Sequence, residues 1–451
     1  MRTESTTRPG TSVLLAASVA IATLLPSAVS AENWPQWRGP RGDGTSLDPH
    51  APTAWTSVDN VTWKAPLPGK GHASPVVWSD RVFVITAMKE QQQRLLLCLD
   101  RATGKRLWQR VVLEAPPERI HALNSYGSST PATDGQRIYV SFLDRDRMFI
   151  AAYDFEGNQV WQVHPGPFAS IHGYCSSPVL WKDTIIVNGD HDGPAYIVAL
   201  DRATGRTVWK TPRPNKTRSY CTPILRQIDG RNQMILAGSK CVASYDPDSG
   251  RQHWIIDGPT EQFVASLVYN GELLFMTCGF PDRFMQAIHP GGRGNVTATH
   301  VAWQKDRDCA YVPSPIAVGP YFLLVSDNGV ATCLEAKTGR SLWRRRLGPH
   351  FSASLATANG LVYFLSDKGV MTIVKPGPTF EEVARNELGE KTFASPAISE
   401  GQIFLRGAEH LFCIGKREAA WAKDHPAAYH HPCQSCVISV TGRATSRCRP
   451  W

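Results

Sequence analysis

The chain has 451 residues, of which 42% are hydrophobic and 19% are charged, and this balance excludes disorder over its whole length. The length suits three ordinary domains or one large repeat architecture. Part of the net charge of +9 comes from the residues after Gly415, and no basic block with interleaved aromatic residues precedes them. We therefore expect no nucleic-acid partner.

The N-terminus has the organisation of an export signal. Arg2 and Arg8 precede an apolar run over residues 13–25, a proline ends that run, and small residues follow up to Ala31. This order predicts a signal peptide over residues 1–31, removed after Ala31. A short membrane anchor is the alternative, but the run is shorter than the about 20 residues that span a bilayer. We expect an exported protein that does not span the membrane, located in the periplasm or secreted.

A repeat of roughly 40–56 residues follows, with a hairpin at its centre. An acidic residue, then Thr-Gly, then Trp recur at 99–108, 200–209 and 334–343, and looser copies occur at 153–161 and 245–254. The acidic side chain can bond the turn backbone, and Gly supplies the positive φ that tightens a hairpin. The tryptophans at this repeated position are expected to dock between neighbouring units: Trp63, Trp108, Trp161, Trp209, Trp254, Trp303 and Trp343.

A second signal precedes each hairpin and gives the number of units. Six Ser/Thr-Pro pairs and two degenerate Ser-Leu pairs open a short strand, which a turn and a second strand follow. Four antiparallel strands per unit are typical of β-propeller blades, which bury their faces by stacking around an axis. Eight pairs predict an all-β, eight-bladed propeller over residues 61–415. Seven blades is the alternative, because the repeat around 355–390 lacks both the Thr-Gly turn and the Trp.

The last blade requires a strand from the other end of the chain. Only three strands follow Ser395-Pro396, whereas residues 60–64 have the pattern of an additional strand. We predict that this N-terminal strand pairs with residues 403–406 or 411–414 and closes the ring, so that no sheet edge stays open at the seam. Residues 32–60 then form an N-terminal arm.

The repeat carries a resemblance to a known family. Its Asp-x-x-Thr-Gly-x-x-x-Trp pattern resembles the tryptophan-docking repeat of the pyrroloquinoline-quinone (PQQ) propellers. Residues 33–40, Asn-Trp-Pro-Gln-Trp-Arg-Gly-Pro, with Gly42-Asp43-Gly44, resemble the N-terminal arm of exported PQQ-like repeat proteins. Residues 33–415 are also similar to the outer-membrane protein assembly factor B propeller. The resemblance implies the quinoprotein alcohol dehydrogenase-like fold and leaves the activity open, because one fold hosts many functions.

The cysteines do not have the spacing of a disulfide framework. Cys98, Cys333 and Cys413 recur at one strand position, which predicts buried, small hydrophobic side chains. Residues 416–451 are basic and poor in aliphatic side chains, so we expect a disordered tail. The His and Cys pairs within 430–436 are too closely spaced to bind one zinc ion easily, and we assign no metal site.

The connections of the blades predict where a ligand binds. The loops that enter the Ser/Thr-Pro strands share one end of the central channel, and the Thr-Gly turns lie at the other end. We predict a protein or peptide site at the entry-loop end, the channel mouth. Its candidate residues are His72, His121, Tyr126, His172, Tyr174, Asp190, His191, Arg218, Tyr220, Tyr311, His350 and Lys391. A wet channel that binds nothing is one alternative, and a metal site built from its histidines and Asp190 is another.

Two functions compete for such a propeller. The resemblance implies, as one of them, a PQQ-dependent and Ca²⁺-assisted alcohol or sugar dehydrogenase, whose quinone is stacked between a Trp and a vicinal disulfide. The chain has no adjacent Cys pair, its mature length is short for such enzymes, and no Ser-His-Asp or His-Glu-x-x-His arrangement stands out. We therefore expect no catalytic residues and no cofactor, but a non-catalytic binding or scaffold module that engages envelope proteins. A sugar-binding or hydrolytic role is a further alternative, and the oligomeric state stays open.

This hypothesis has consequences for substitutions at the two ends of the channel. Tyr174 and Tyr220 at the mouth are expected to contribute binding energy, so that their change to Ala weakens a partner without unfolding the ring. Arg101 and Arg202 at the turn end are expected to be silent when changed to Ala.

Overall fold

The structure is a computed structural model that describes residues 32–417; the predicted signal peptide and the predicted tail from residue 418 onward lie outside the described residues. Its strands form eight sheets, each of them a blade of a β-propeller. The prediction of eight blades is confirmed. The seven-bladed alternative is wrong, because the repeat without the Thr-Gly turn and the Trp still forms a complete four-stranded sheet.

The first strand within residues 32–417 is β1 (Val61–Pro66), and the blades follow it in chain order. Blade 1 contains β2 (Val76–Trp78), β3 (Arg81–Met88), β4 (Gln93–Asp100) and β5 (Arg106–Glu114). Blade 2 contains β6 (Ala132–Thr133), β7 (Arg137–Asp144), β8 (Arg147–Asp154) and β9 (Gln159–Val163). Blade 3 contains β10 (Val179–Trp181), β11 (Thr184–Gly189), β12 (Tyr196–Asp201) and β13 (Thr207–Pro212). Blade 4 contains β14 (Ile224–Ile228), β15 (Arg231–Gly238), β16 (Cys241–Tyr245) and β17 (Gln252–Asp257).

The second half of the ring contains the less regular blades. Blade 5 contains β18 (Val268–Tyr269), β19 (Leu274–Cys278), β20 (Phe284–Ile288) and β22 (Val301–Lys305); between its last two strands the chain forms β21 (Gly294–Asn295) and α1 (Thr297–His300). Blade 6 contains β23 (Ile316–Val318), β24 (Tyr321–Val325), β25 (Val330–Glu335) and β26 (Ser341–Arg346). Blade 7 contains β27 (Ala356–Ala358), β28 (Leu361–Leu365), β29 (Val370–Lys375) and β30 (Glu381–Glu387). Blade 8 contains β31 (Ala397–Ser399), β32 (Gln402–Arg406) and β33 (His410–Ile414). The short strand β21 pairs with β17 in parallel and extends blade 4 to five strands.

The two ends of the described chain close the ring together. Strand β1 pairs antiparallel with β33, with Lys64 opposite Phe412 and Ala65 opposite Leu411, and so supplies the fourth strand of blade 8. The other side of β33 pairs with β32. The predicted partner over 411–414 is therefore the one that is observed, and β1 covers the edge of β33 at the seam.

The hydrophobic core lies between the blades. The second and third strands of a blade are buried along nearly their whole length, as in β3 and β4, because both faces of the sheet pack on a neighbour. The buried apolar residues form seven clusters, each of which joins adjacent blades. Cys98, Cys333 and Cys413 are fully buried within these clusters and form no disulfide among residues 32–417, which confirms them as small hydrophobic side chains.

Most of the repeated tryptophans bond to the next blade. The indole N–H of Trp63 donates to the carbonyl of Arg101 at 2.8 Å, and equivalent bonds to the following blade are formed by Trp108, Trp161, Trp209, Trp303 and Trp343. Trp254 differs, because it donates to Gln233 in its own blade at 2.8 Å. Burial also varies, since Trp108, Trp209 and Trp303 are half-buried. The outer strand leaves one side of these rings open to solvent.

The Ser/Thr-Pro pairs have a role that the sequence did not indicate. The backbone N–H of Ser74 donates to the Thr130 hydroxyl of the next blade at 3.0 Å, and the Thr130 N–H donates to the Ser177 hydroxyl at 2.9 Å. The pattern continues from Ser177, Ser266, Ser314 and Ser354. A belt of hydroxyl groups thus satisfies buried amides around the channel, which explains why only Ser or Thr occupies this position.

Candidate functional site

The N-terminal arm lies across the channel at the turn end. Trp34 forms a bridge with Val77 of blade 1, and Thr45 forms another with Thr357 of blade 7. Residues 32–45 form hydrogen bonds to every blade; their partners in blades 1 to 8 are Val77, Thr133, Leu180, Arg226, Ser266, Pro315, Thr357 and Ser399. The arm therefore closes one end of the channel and leaves the mouth at the other end.

A cavity of about 630 Å³ fills the channel between the arm and the mouth. We call it the funnel. Trp37 of the arm lines it, and its indole N–H donates to the Ser266 hydroxyl at 3.3 Å. Seven of the predicted binding residues line the funnel: His72, His121, His172, Arg218, Tyr220, Tyr311 and His350. They come from entry loops of six different blades, which converge because the loops share one end of the ring.

The other five predicted residues lie outside the funnel lining. The ring of Tyr126 lies under the Arg94 guanidinium, 5.3 Å from its centroid, and Lys391 is exposed. Tyr174 is buried in the core between blades 2 and 3, so its change to Ala perturbs the fold as well as any ligand. His191 stacks on Phe168 with a centroid distance of 5.6 Å.

Asp190, the fifth of these residues, belongs to a buried ion pair. Its carboxylate accepts from Arg213 Nε at 2.9 Å and from Nη2 at 3.2 Å, and both side chains are fully buried. Arg213 also donates to the Tyr245 hydroxyl at 2.5 Å and to the Gly238 carbonyl at 2.8 Å. Burial raises the pKa of Asp190, and Arg213 opposes that shift. The pair holds blades 3 and 4 together and does not offer a free carboxylate for a metal.

One side of the funnel carries a linked group of aromatic and imidazole side chains. His172 Nδ1 lies 2.9 Å from the Tyr220 hydroxyl, which in turn lies 3.1 Å from the Ser170 hydroxyl. The rings of His121 and His172 meet edge to face at 5.4 Å. Burial, with smaller contributions from Arg218 and His121, lowers the pKa of His172. His172 and Tyr220, whose pKa burial raises, are therefore neutral hydrogen-bonding groups near pH 7 and can contact an uncharged part of a ligand.

The rim of the funnel is apolar. Leu123, Ile171 and Phe280 line it and are 51%, 41% and 49% exposed, which places them among the most exposed large hydrophobic side chains described. Clustered exposed apolar residues mark interaction sites more often than single ones do. Sequence reasoning missed all three, because each lies in a loop without hydrophobic periodicity.

Several polar residues of the funnel were also missed. The side-chain amide oxygen of Gln262 accepts from the Tyr311 hydroxyl at 3.0 Å. The Asp327 carboxylate accepts from the backbone N–H of Tyr311 at 2.8 Å and from that of Val312 at 3.1 Å. Asp327 lies in the connection between the second and third strands of blade 6. Such connections reach the mouth in a propeller, so this signal was available in the sequence.

The funnel does not fit the quinone that the resemblance implies. The stacking disulfide needs two adjacent cysteines, which the sequence lacks. Asp327, the only acidic side chain in the lining, already accepts two backbone N–H groups. Within residues 32–417, no three His, Cys, Asp or Glu side chains are grouped as metal ligands are. We therefore derive no chemical step through PQQ or Ca²⁺.

The comparisons with known proteins agree with the fold. The family model described as "Outer membrane protein assembly factor BamB" matches residues 92–269 and 298–377, which are more than half of the chain. The chain therefore belongs to this family of PQQ-like repeat propellers. Outer membrane protein assembly factor BamB of Burkholderia pseudomallei (strain K96243) is 27% identical over 114 residues, which cover 25% of this chain and 29% of that protein. The match thus spans less than a third of that relative's length.

One of two similar solved structures shows the same fold. BamB from Moraxella catarrhalis is 13% identical, with 78% of this chain and 99% of that chain covered and a TM-score of 0.57. A europium-containing methanol dehydrogenase is 12% identical, covers 84% and 90% of the two chains, and has a TM-score of 0.47. The first similarity shows the fold, and the second is too distant to indicate an activity. None of the helices within residues 32–417 is long and apolar enough to cross a membrane.

Proposed function

We propose that this chain is an exported, non-catalytic binding module of the cell envelope, which takes segments of envelope proteins at the funnel mouth. Membership of the assembly factor family supports a role with envelope proteins. The observation that carries the site is the apolar rim of Leu123, Ile171 and Phe280 around a polar, aromatic cavity. An exposed apolar rim with Tyr and Arg inside has the composition of a protein-binding hot spot.

The closed turn end supports the same assignment. Because the arm bonds to all eight blades and Trp37 lines the cavity, a segment enters the funnel only from the mouth. A rigid ring with one open end binds without reorganising its backbone, which lowers the entropic cost of association. Export through the predicted signal peptide would place this surface among envelope proteins.

Site-specific photo-crosslinking in the native cell envelope tests the proposal. A photoreactive amino acid at Leu123 reports the mouth, and the same amino acid at Val208 is the control, since Val208 is 52% exposed on an outer strand. We expect discrete crosslinks to envelope proteins from position 123, lost when Ile171 is changed to Asp, and none of these products from position 208. Equal products from both positions, or none from position 123, would contradict the proposal.

A further inference from the structure

We infer that Arg218 forms a carboxylate-binding subsite inside the funnel, so that the bound segment presents a carboxylate next to an apolar side chain. This inference rests on the proposed function and deepens it, because it states the chemistry of the ligand. Four features of the funnel lead to it: the unused donors of Arg218, the engagement of the nearby acidic groups, two further cations, and the apolar rim.

Arg218 keeps most of its hydrogen-bonding capacity free. Its Nη1 donates to Asp192 Oδ2 at 2.6 Å, whereas its Nε is buried and has no acceptor among residues 32–417. The side chain lines the funnel and is 20% exposed. A buried donor without an acceptor is unfavourable, so a turn of the guanidinium that brings Nε to an acceptor oxygen of a ligand in the funnel is favoured. The Nε and Nη2 donors of a guanidinium match the two oxygens of a carboxylate.

The acidic groups near Arg218 offset only part of the positive charge around the funnel, since Asp192 and Asp327 are set against Arg218, Arg283 and Arg406. Asp192 binds one end of the guanidinium, and both oxygens of Asp327 accept backbone N–H groups. The charge of Arg218 acts on Tyr220, Tyr311 and His172, the neighbouring side chains of the lining. The positive charge of the guanidinium is therefore close enough to act on a ligand inside the cavity.

Two more cations surround the cavity. Arg283 lines the mouth and is exposed. Arg406 is buried behind His72, donates to the Ile85 carbonyl, and forms no ion pair with any carboxylate of the described chain. A cavity with an excess of positive charge and walls of low dielectric attracts anions. One guanidinium edge suits a carboxylate, whereas phosphate sites generally collect several amides or cations.

The rim specifies what accompanies the carboxylate. Two rim residues are close in sequence to histidines of the funnel: Ile171 directly precedes His172, and Leu123 lies two residues after His121. His172 Nδ1 lies 2.9 Å from the Tyr220 hydroxyl. Leu123, Ile171 and Phe280 line the same cavity as Arg218 and are exposed, so a ligand bound at Arg218 has these apolar side chains in the same cavity. A peptide with a large apolar side chain beside a carboxylate satisfies both surfaces. The carboxylate can come from a chain terminus or from an acidic side chain.

Three short peptides test the inference by isothermal titration calorimetry with the full chain. They are acetyl-glycyl-glycyl-phenylalanine with a free carboxylate, the same peptide amidated, and acetyl-glycyl-aspartyl-phenylalanine amide. We expect the carboxylate-bearing peptides to bind at least tenfold more tightly than the neutral amide. The ratio between the terminal and the side-chain carboxylate identifies the source.

Matched variants connect the preference to the residue. Arg218→Gln should remove the preference for a carboxylate, Arg218→Lys should retain part of it, and Arg206→Gln, an exposed cation at the turn end, should leave it unchanged. Melting curves establish that each variant is folded. Equal binding of neutral and carboxylate peptides, a preference that survives Arg218→Gln, or no binding at millimolar concentrations would overturn the inference. Equal binding that is lost in Leu123→Asp would overturn the carboxylate subsite alone and leave the proposed funnel site standing.

Discussion

The indole N–H of Trp161 in blade 2 donates to the carbonyl of Arg202 in blade 3 at 3.0 Å. This bond brings the indole ring over Gly205, where an added Cβ would lie 2.7 Å from the ring. Trp63 and Gly104 form the same contact at the seam of the ring. The glycine of the repeat is therefore required twice: its φ of +74° suits the turn, and the absence of a side chain makes room for the indole of the preceding blade.

A pair of glycine substitutions separates these two requirements. Gly205 and Gly230 have φ values of +74° and +71°, but only Gly205 has neighbours within 4 Å of an added Cβ. Gly230→Ala should cost about 1–2 kcal/mol for the left-handed backbone. Gly205→Ala should cost about 1–3 kcal/mol more, because the methyl group overlaps the indole. Urea unfolding measures both, and equal costs would show that the indole contact is unimportant.

Closure of the ring makes the N-terminal residues essential to the fold. Deleting residues 32–66 removes β1 from blade 8 and the arm from all eight blades. The edge of β33 is then unpaired. We therefore expect the shortened protein to aggregate and to lose its cooperative unfolding transition. Removing residues 418–451 should leave the melting temperature within about 2 °C, provided that Arg417 stays, since it bonds to Glu400 at 2.6 Å and Asp80 at 2.8 Å. A deletion of 32–66 that melts like the full chain would contradict this account.

Arg101 and Arg202 occupy equivalent repeat positions but differ in burial. That both are silent for partner binding stays a prediction, and the burial of Arg101 adds an expected cost in stability. Arg101 is 1% exposed, donates to the Gln402 side chain at 2.9 Å and the Ser399 carbonyl at 2.8 Å, and pairs with Glu400 at 3.1 Å. Arg101→Ala should cost about 2–5 kcal/mol, because it opens a cavity and leaves the buried Gln402 side chain and Ser399 carbonyl without this donor, while Glu400 keeps its pairing with Arg417.

Arg202→Ala is the matched control. Its side chain is 35% exposed. It pairs with the exposed Asp183 at 3.0 Å and, at 3.5 Å, with Asp134, which also accepts from Tyr139 and so keeps a partner without Arg202. The expected cost is about 0–1 kcal/mol. Denaturant unfolding of both variants measures the difference, and similar values for the two would show that the seam does not depend on Arg101.

The sequence predicted the parts of the fold that repeat. The Thr-Gly turns, the Ser/Thr-Pro pairs and the missing strand gave eight blades and the closure by β1, since each is a local signal with a fixed place in the unit. It did not predict how blade 7 compensates for its missing tryptophan. Ala384 occupies that register position, and Trp55 of the arm packs into the same core. The backbone N–H of Trp55 donates to the side-chain oxygen of Asn386 at 2.9 Å and holds it there.

The site was predicted less well for a related reason. Counting entry loops found seven lining residues, because topology alone brings those loops together. Topology does not fix side-chain direction within a loop, so Tyr174 was assigned to the mouth although it packs in the core. The place of Trp37 at the closed end of the funnel depends on its contact with Ser266, more than 200 positions away. A single sequence carries no local signal for such a contact.

Quinone chemistry has a direct test with the purified protein. Because adjacent cysteines are absent and Asp327 is already engaged by two N–H groups, we expect PQQ with Ca²⁺ to bind no more tightly than millimolar. Dye-linked oxidation of alcohols or sugars should stay at the level of protein-free controls. Trp fluorescence reports binding, since Trp37 lines the funnel. Stoichiometric quenching by micromolar PQQ, together with dye reduction, would assign the chain to the dehydrogenases.

The last prediction concerns the stability of the funnel wall in acid. The ring of His72 stacks on Phe393 at 4.6 Å, and burial, with a smaller contribution from Arg406, lowers the pKa of His72 from 6.5 to about 4. The unfolded chain therefore binds a proton at higher pH than the folded chain does. The stability due to neutral His72 is complete above about pH 6.5 and is lost as the pH falls towards 4. Between pH 7 and pH 5 this one group should cost about 1–2 kcal/mol.

Urea unfolding at pH 7 and pH 5 measures this loss in the wild type and in His72→Asn. The variant has no proton to bind, so its loss of stability should be smaller by about 1–2 kcal/mol. His172, His191 and His253, whose pKa values burial also lowers, continue to contribute in both proteins. His289→Asn is the control, since His289 is exposed and should retain the wild-type loss. If His72→Asn and His289→Asn lose the same free energy on acidification, the His72 ring is not held neutral by the funnel wall.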